Sequence, residues 1–362
     1  MFENRYHGRK VLITGHTGFK GSWLAAWLTQ LGANVVGLSL KPNTTPSHFD
    51  LLKLPITSYF IDVRSKEQVA KVLHEVQPEI IFHLAAQPLV RDSYADPLYT
   101  LETNIMGTAN LLQACQSVES VQAVVIVTSD KCYENKEWVW GYRENDPMGG
   151  YDPYSVSKGC AELVTASFRN AYFNLEKYGQ THHVLVASVR AGNVIGGGDW
   201  AKDRLIPDIV RATVKQETVP IRCPHATRPW QHVLECLSGY LCIGVKLLQG
   251  DKQFAEGWNF APASSGEVPV ETIVRLMQSH WPQLSYEIIA NPNQLHEAHL
   301  LKLDASKANS ILKWKSVWGL EETIQVTTAW YRDFYEREKI MTMRDIDHYV
   351  NSAKTVGLGW TG

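Results

Sequence analysis

The 362-residue chain lacks the features that would place it in several large protein classes. Its six cysteines, Cys115, Cys132, Cys160, Cys223, Cys236 and Cys242, show no CxxC spacing. That scatter argues against a zinc ribbon or a disulfide framework and leads us to expect reduced thiols in a cytoplasmic protein. No apolar run approaches the roughly 20 residues of a membrane span. The first such run, Val11–Ile13, is too short for the core of a signal peptide. An excess of one charge is also missing: 35 Lys and Arg face 37 Asp and Glu, a net charge of -2. Neither nucleic acid nor an anionic membrane is therefore an expected partner, although a local basic pocket is compatible with this balance. The 13 histidines include His296-Glu297-Ala298-His299, whose spacing is wrong for an HExxH zinc helix. No metal site is expected.

In the first half of the chain, short β-branched runs alternate with helical patterns. Strand-like runs fall at Lys10–Thr14, Asn34–Leu38, Ser58–Ile61, Glu79–Leu84, Ala123–Thr128 and Val184–Ala187. Helical patterns fall between them, at Gly21–Leu31, Lys66–Val76, Pro97–Gln116 and Pro153–Ala171. This alternation predicts a doubly wound, Rossmann-type α/β fold: a parallel sheet covered on both faces, with ligands at the carboxyl ends of its strands. After Arg190 the pattern changes, with Gly196-Gly197-Gly198 and several prolines up to Trp230. A helical run over Gln231–Leu248 and a strand-like Trp258–Phe260 follow, then helices over Val268–Trp281 and Leu320–Tyr335. We expect residues 1–190 to form the dinucleotide-binding domain, with 231–257 returning to it. Residues 191–230 and 258–362 are expected to form a smaller, mainly α-helical substrate lobe.

Gly15-His16-Thr17-Gly18-Phe19-Lys20-Gly21 follows a strand and opens a helix. Glycines there let the backbone turn tightly and approach a pyrophosphate, whose charge a helix N-terminus favours. The spacing is GxxGxxG, and its context makes it a dinucleotide loop rather than a plain strand–helix turn. Asp62-Val63 and Leu84-Ala85-Ala86 end later strands, where a carboxylate can accept from an adenine amino group and small side chains let a dinucleotide pass. The second strand ends Ser39-Leu40-Lys41 without the acidic residue that binds a ribose 2′-hydroxyl. NAD and NADP both remain open on the residues alone.

Tyr154-Ser155-Val156-Ser157-Lys158 lies just inside a helix whose start is marked by Asp152 and Pro153. Positions i and i+4 share a helix face, so Tyr154 and Lys158 project together. A cation beside a phenol lowers its pKa, and this predicts a base usable near neutrality. Thr128-Ser129-Asp130-Lys131 follows the fifth strand, where a hydroxyl can meet the oxygen that Tyr154 deprotonates. Taken alone, that run also reads as an ordinary helix cap.

The motifs GHTGFKGSW (15–23), HLAAQPLVR (83–91), TSDKCY (128–133) and WGYREN (140–145) carry a resemblance, together with three later ones. These are YDPYSVSKGCAE (151–162), RAGNVIGGGDWAKDRLIPD (190–208) and RPWQHVLE (228–235). Over nearly its whole length the chain resembles the extended short-chain dehydrogenase/reductase family. Within that family it is most similar to the nucleotide-sugar 4,6-dehydratases, on the branch that acts on CDP-glucose. Members acting on dTDP-glucose carry Asp-Glu where this chain has Asp130-Lys131.

The resemblance implies NAD held by Gly15, His16, Thr17, Gly18, Phe19, Gly21, Asp62, Val63, Leu84, Ala85, Ala86, Thr128, Tyr154 and Lys158. It implies that Tyr154, with Lys158 and Ser129, takes the C4 hydroxyl proton while C4 hydride passes to the cofactor. Asp130 then protonates the departing C6 hydroxyl, Lys131 takes the C5 proton or stabilises the enolate, and hydride returns to C6. Asp130 and Lys131 are expected to titrate as a unit. Substrate contacts are implied for Gln87, Asn193, Arg204, Arg228 and His299. A homodimer or homotetramer, formed through helices 97–116 and 153–171, is implied too, as is a product destined for a cell-surface deoxysugar such as O-antigen. Another nucleotide-sugar dehydratase or a 4-epimerase of the same superfamily is the alternative.

Overall fold

A computed structural model of the chain describes residues 1–221, 224–262, 267–289 and 300–362. Among them a seven-stranded sheet runs in the order β7-β6-β5-β4-β1-β2-β3. Its strands are β1 (Lys10–Thr14), β2 (Asn34–Ser39), β3 (Thr57–Phe60), β4 (Ile80–His83), β5 (Ala123–Val127), β6 (Leu185–Arg190) and β7 (Gly257–Asn259). Every pairing is parallel, so every crossover lies on a face and both faces are covered.

Successive side chains in a strand point to opposite faces, and the two cores separate accordingly. Val11, Ile13, Ile80, Phe82, Val125 and Val127 join one core with Trp23, Trp27, Leu237 and Leu241 from helices Phe19–Gln30 and Val233–Leu248. Leu12, Ile81, Val124 and Ile126 join the other with Val69, Leu73 and Leu111 from helices Lys66–Val76 and Gly107–Cys115. Each of these side chains contributes about 1.5–3 kcal/mol on burial.

Four expectations change. The helix expected over Pro97–Gln116 contains a π-helical turn at Glu102–Met106 between two α-helical pieces. Gln231-His232 is strand rather than helix: it pairs with Val194-Ile195, and His232 then caps the Val233–Leu248 helix by accepting from the Leu234 amide. The proline-rich stretch before Trp230 holds a helix, Leu205–Lys215. Its Pro207 lies in the first turn, where a missing N–H breaks no hydrogen bond. Trp258 and Asn259, assigned to the small lobe from sequence, lie in β7, with Trp258 opposite Val189. Two further short sheets join Thr227–Pro229 to Glu267–Pro269 and Thr218–Ile221 to Ser285–Ile288. Among the described residues no helix is long and apolar enough to cross a membrane, and no group of three or more His, Cys, Asp or Glu is placed to hold a metal.

Candidate active site

The glycine loop closes on itself at the carboxyl end of β1. Gly15 has φ +75°, and a Cβ there would lie 2.6 Å from the Ala85 amide nitrogen. A Cβ on Gly21 would lie 2.1 Å from the Gly15 carbonyl oxygen. Neither position tolerates a side chain without moving backbone. Gly18 is exposed and precedes the Phe19–Gln30 helix, whose first turn has no side-chain cap. Uncapped amides at an open helix N-terminus, reached across glycines, fit a pyrophosphate.

Around the loop, the predicted side chains divide into those open to a ligand and those committed to the protein. The His16 ring is buried against Gly37, bonds Ser58 Oγ at 3.0 Å through Nε2, and is pushed by burial down to about 4, so it is neutral. Thr17 Oγ1 bonds Ser39 Oγ at 2.9 Å and the Leu40 carbonyl. Asp62 receives Arg64 through Nε, Nη2 and the backbone amide, and burial is outweighed by Arg64, which holds its pKa low. Val63 is buried beside Gly107. Leu84, Ala85 and Ala86 are half-buried, with the Ala85 amide on Thr14 Oγ1 at 3.2 Å. The Thr128 hydroxyl points into the core, where it donates to Glu162.

Gln87 does not present a free amide. Its side chain donates to the Leu89 carbonyl and to Thr100 Oγ1, and accepts from the Leu89 amide at 2.6 Å. These bonds shape its own turn. His299 lies outside the described residues.

Asp152 caps the Pro153–Ala171 helix by accepting from the Ser155 amide and hydroxyl. That helix is bolted to the Asp130–Cys132 turn at Gly159, where a Cβ would lie 3.0 Å from the Cys132 carbonyl oxygen. Tyr154 and Lys158 are both buried; the Tyr154 phenol lies beside Ser129 and Asp130, and Lys158 Nζ donates to the Val127 carbonyl at 3.4 Å. Ser129 Oγ donates to Asp130 Oδ1 at 2.8 Å. The Asp130 carboxylate rests over Gly192, where a Cβ would meet its Oδ2 at 2.2 Å.

Lys131, by contrast, is half-buried and makes no ion pair with Asp130 or any other described residue. The expected lowering of the Tyr154 pKa does not appear. Burial pushes the phenol up to about 12; the Ser129 hydroxyl pulls it back, the Asp130 carboxylate raises it, and Arg204 lowers it. Burial, then the Lys20 ammonium, push Lys158 down to about 8, with Glu162 opposing.

Three contributors were not singled out from sequence: Lys20, Glu162 and Arg190. Glu162 follows Lys158 by four residues on the same helix face, a periodic signal that was available. Its carboxylate accepts from Arg190 Nε and Nη2 at 2.8 Å each and from Ser188 Oγ at 2.6 Å, all fully inside the protein. Arg190 also donates to the Tyr133 hydroxyl, which in turn donates to Asn259 Oδ1 at 2.8 Å.

Of the residues expected to meet a diphosphate, Arg204 is turned inward: it pairs with Asp199 at 2.8 Å and is close enough to act on Tyr154. Its neighbours Lys202 and Asp203 are tied to Asp92 and Arg91, each at 2.9 Å, fastening the loop beside the site. Asn193 takes the left-handed conformation with φ +45° immediately after Gly192, and its carbonyl accepts from the Gln231 amide. Arg228 lies half-buried on the Thr227–Pro229 strand.

This arrangement sets a dinucleotide-type loop near a helix with buried Tyr154 and Lys158, and buried Ser129 and Asp130 beside Tyr154. The family model for GDP-mannose 4,6 dehydratase matches residues 12–327. The chain belongs to this family. It is 51% identical over 354 residues to the CDP-glucose 4,6-dehydratase of Salmonella typhimurium, covering 97% of this chain and 98% of that one. It is 30% identical over 333 residues to a UDP-glucose 4-epimerase of Mycolicibacterium smegmatis, covering 90% and 99%. The dTDP-glucose 4,6-dehydratase of Streptomyces venezuelae, solved with NAD and TYD bound, shares the fold, with a TM-score of 0.74 and 23% identity over 90% of this chain and 97% of that one.

Proposed function

We propose that this protein is a CDP-glucose 4,6-dehydratase, converting CDP-D-glucose to CDP-4-keto-6-deoxy-D-glucose and water. The observation that carries the reading is the 51% identity over 97% of the chain to an enzyme of that name. The buried Ser129, Asp130, Tyr154 and Lys158 support it, because an elimination needs an acid beside the base. The cofactor of this reading is NAD, and the uncapped helix start after Gly18 fits its pyrophosphate. Gly15, Gly18, Gly21 and Leu84–Ala86 would line it, with Asp62-Val63 toward the adenine. When bound, NAD supplies reversible two-electron chemistry, accepting hydride from C4 and giving it back at C6.

Tyr154 removes the C4 hydroxyl proton, and Lys158 favours the phenolate. The new ketone acidifies C5–H, which Lys131 takes, while Asp130 protonates the departing C6 hydroxyl. Arg204, released from Asp199, and Arg228 receive the diphosphate, for which a guanidinium offers paired donors, and Asn193 faces the sugar. Residues 1–190 with 231–259 would hold the dinucleotide, and 191–230 with 260–362 the nucleotide sugar. Leu98, Met106, Val156 and Leu163 are exposed apolar residues on helical segments of 97–115 and 153–171, which suits a homodimer or a homotetramer built from it. A cytoplasmic location suits free thiols and a nucleotide-sugar substrate.

The test is incubation with CDP-glucose and NAD, read by the absorbance of a 4-keto sugar in alkali. UDP-glucose, dTDP-glucose and GDP-mannose serve as competitors. Product from CDP-glucose without net change in the cofactor is expected; turnover of a competitor alone would overturn the assignment.

A further inference from the structure

An elimination that starts from a C4 alcohol and ends in a C4 ketone and water places two demands on protons. A base must take one from the C4 oxygen, and an acid must give one to the C6 oxygen. In a closed site these are best served by the same proton. The geometry here joins the two groups. Ser129 Oγ donates to Asp130 Oδ1 at 2.8 Å, so Asp130 is an acceptor at rest. The Tyr154 phenol faces the same Ser129 hydroxyl. All three are buried, and Gly192 leaves the room in which the Asp130 carboxylate sits. The Gly159 contact fixes the Tyr154 helix against the turn that carries Ser129 and Asp130.

We propose that Tyr154, Ser129 and Asp130 form a proton relay in which Ser129 passes the tyrosine proton to Asp130, arming the base and the acid in one step. The Tyr154 O–H bond breaks and its proton goes to Ser129 Oγ, while the proton of Ser129 goes to Asp130 Oδ1. The products are a phenolate at C4 and a carboxylic acid at C6. The phenolate then takes the C4 hydroxyl proton, restoring Tyr154. Asp130 gives its proton to the departing C6 hydroxyl, which leaves as water, restoring the carboxylate. The cycle closes with no proton drawn from solvent. The relay also removes a difficulty of the dehydratase reading, since Asp130 need not hold a proton before substrate arrives.

The inference rests on the dehydratase reading, and its test separates the two. CDP-6-deoxyglucose has no C6 hydroxyl to lose, so it reports C4 oxidation alone, through the absorbance of the reduced nicotinamide. If Asp130 serves only as the elimination acid, Asp130→Asn leaves that oxidation rate unchanged. If its charge matters only by raising Tyr154, Asp130→Asn speeds oxidation at neutral pH. The relay demands the opposite: Asp130→Asn and Ser129→Ala each slow C4 oxidation about a hundredfold at pH 7. The rate recovers as pH rises and hydroxide replaces the missing acceptor, and Ser129→Thr, which keeps the hydroxyl, restores it. Arg204 and Asp152, which also act on the phenol, and Lys158 on the same helix are unchanged in all three variants. Circular dichroism checks that each variant is folded. Unchanged or faster oxidation in Asp130→Asn would overturn the relay while leaving the dehydratase assignment standing. Failure of the wild-type protein on CDP-glucose itself would overturn the assignment and the relay with it.

Discussion

Glu162→Gln should be among the most damaging single changes in the protein, although it alters one atom of a residue that touches no ligand. The carboxylate is 4% exposed and faces the Arg190 guanidinium, also 4% exposed, through two bonds of 2.8 Å. Two hydroxyls, Ser188 and Thr128, point their protons at the same two oxygens. An amide keeps the shape but loses the charge, and it turns an NH2 toward donors, so at least one bond becomes a repulsion. Breaking one side of a buried pair leaves a charge without compensation, at a cost of about 3–5 kcal/mol. The expected loss in the midpoint of thermal unfolding is roughly 5–10 °C. Because the pair is out of reach of solvent ions, the loss should not shrink with added salt. A double-mutant cycle with Arg190→Met, run by denaturant unfolding, should give a coupling above about 2 kcal/mol. Coupling below about 0.5 kcal/mol would refute the reasoning. A second readout is independent of stability. Glu162 raises the Lys158 pKa, so its loss should move the alkaline limb of kcat/KM to lower pH.

Lys20→Met should move that limb the other way, because the Lys20 ammonium pushes Lys158 down; the pH dependence of kcat/KM on CDP-glucose checks the sign. Glu235 is fully buried and raised to about 7 by burial, against bonds from the Trp318 amide, the Tyr349 hydroxyl and the Val317 amide. Its stabilising contribution is thus complete below the ordinary glutamate pKa and lost as pH rises toward 7, about 3 kcal/mol in all. Glu235→Gln should flatten the wild-type fall in stability across that window, as measured by urea unfolding at fixed pH values. Gly21→Ala places a Cβ 2.1 Å from the Gly15 carbonyl oxygen and should weaken dinucleotide binding about tenfold or more. Calorimetric titration with NAD reads this directly.

The parallel sheet was legible because each strand is a short apolar run whose residues alternate between two cores, and the helices between have a different period. The dinucleotide loop was legible because glycine is required where backbone meets backbone, as at Gly15 and Gly21. Tyr154 and Lys158 were legible from helix spacing taken together with the upstream glycine loop. The directions of Asp130 and Lys131 were not. The slot that takes Asp130 is made by Gly192, in the loop after β6, far away in sequence. The environment of Tyr154 was also hidden: a neighbouring cation suggests a lowered pKa, whereas the burial that raises it is a property of the whole fold. Gln87 has the residue type of a substrate contact, yet its amide bonds Thr100 and Leu89, which no local pattern announces. The Leu205–Lys215 helix was masked by Pro207, whose position in the first turn is evident only once the helix start at Arg204 is known.

The same helix face explains why the chemistry and the stability of this site are hard to separate. Tyr154, Lys158 and Glu162 occupy successive turns of the Pro153–Ala171 helix, descending from the reacting end into the core. Along the helix Lys158 lies between Tyr154, the proposed base, and Glu162, whose carboxylate Arg190 holds ionised. Arg190 holds Glu162 ionised and Glu162 favours the charged form of Lys158; in the proposed mechanism that charge would in turn favour the phenolate. Lys20, from the dinucleotide loop, opposes the middle link. A charge change at any position should therefore move the pH dependence of the reaction in a direction fixed by its sign. Glu162→Gln and Lys20→Met should then compensate in part when combined, giving an alkaline limb between those of the two single variants. A limb in the double variant that matches either single one would mean that the two charges do not act through Lys158.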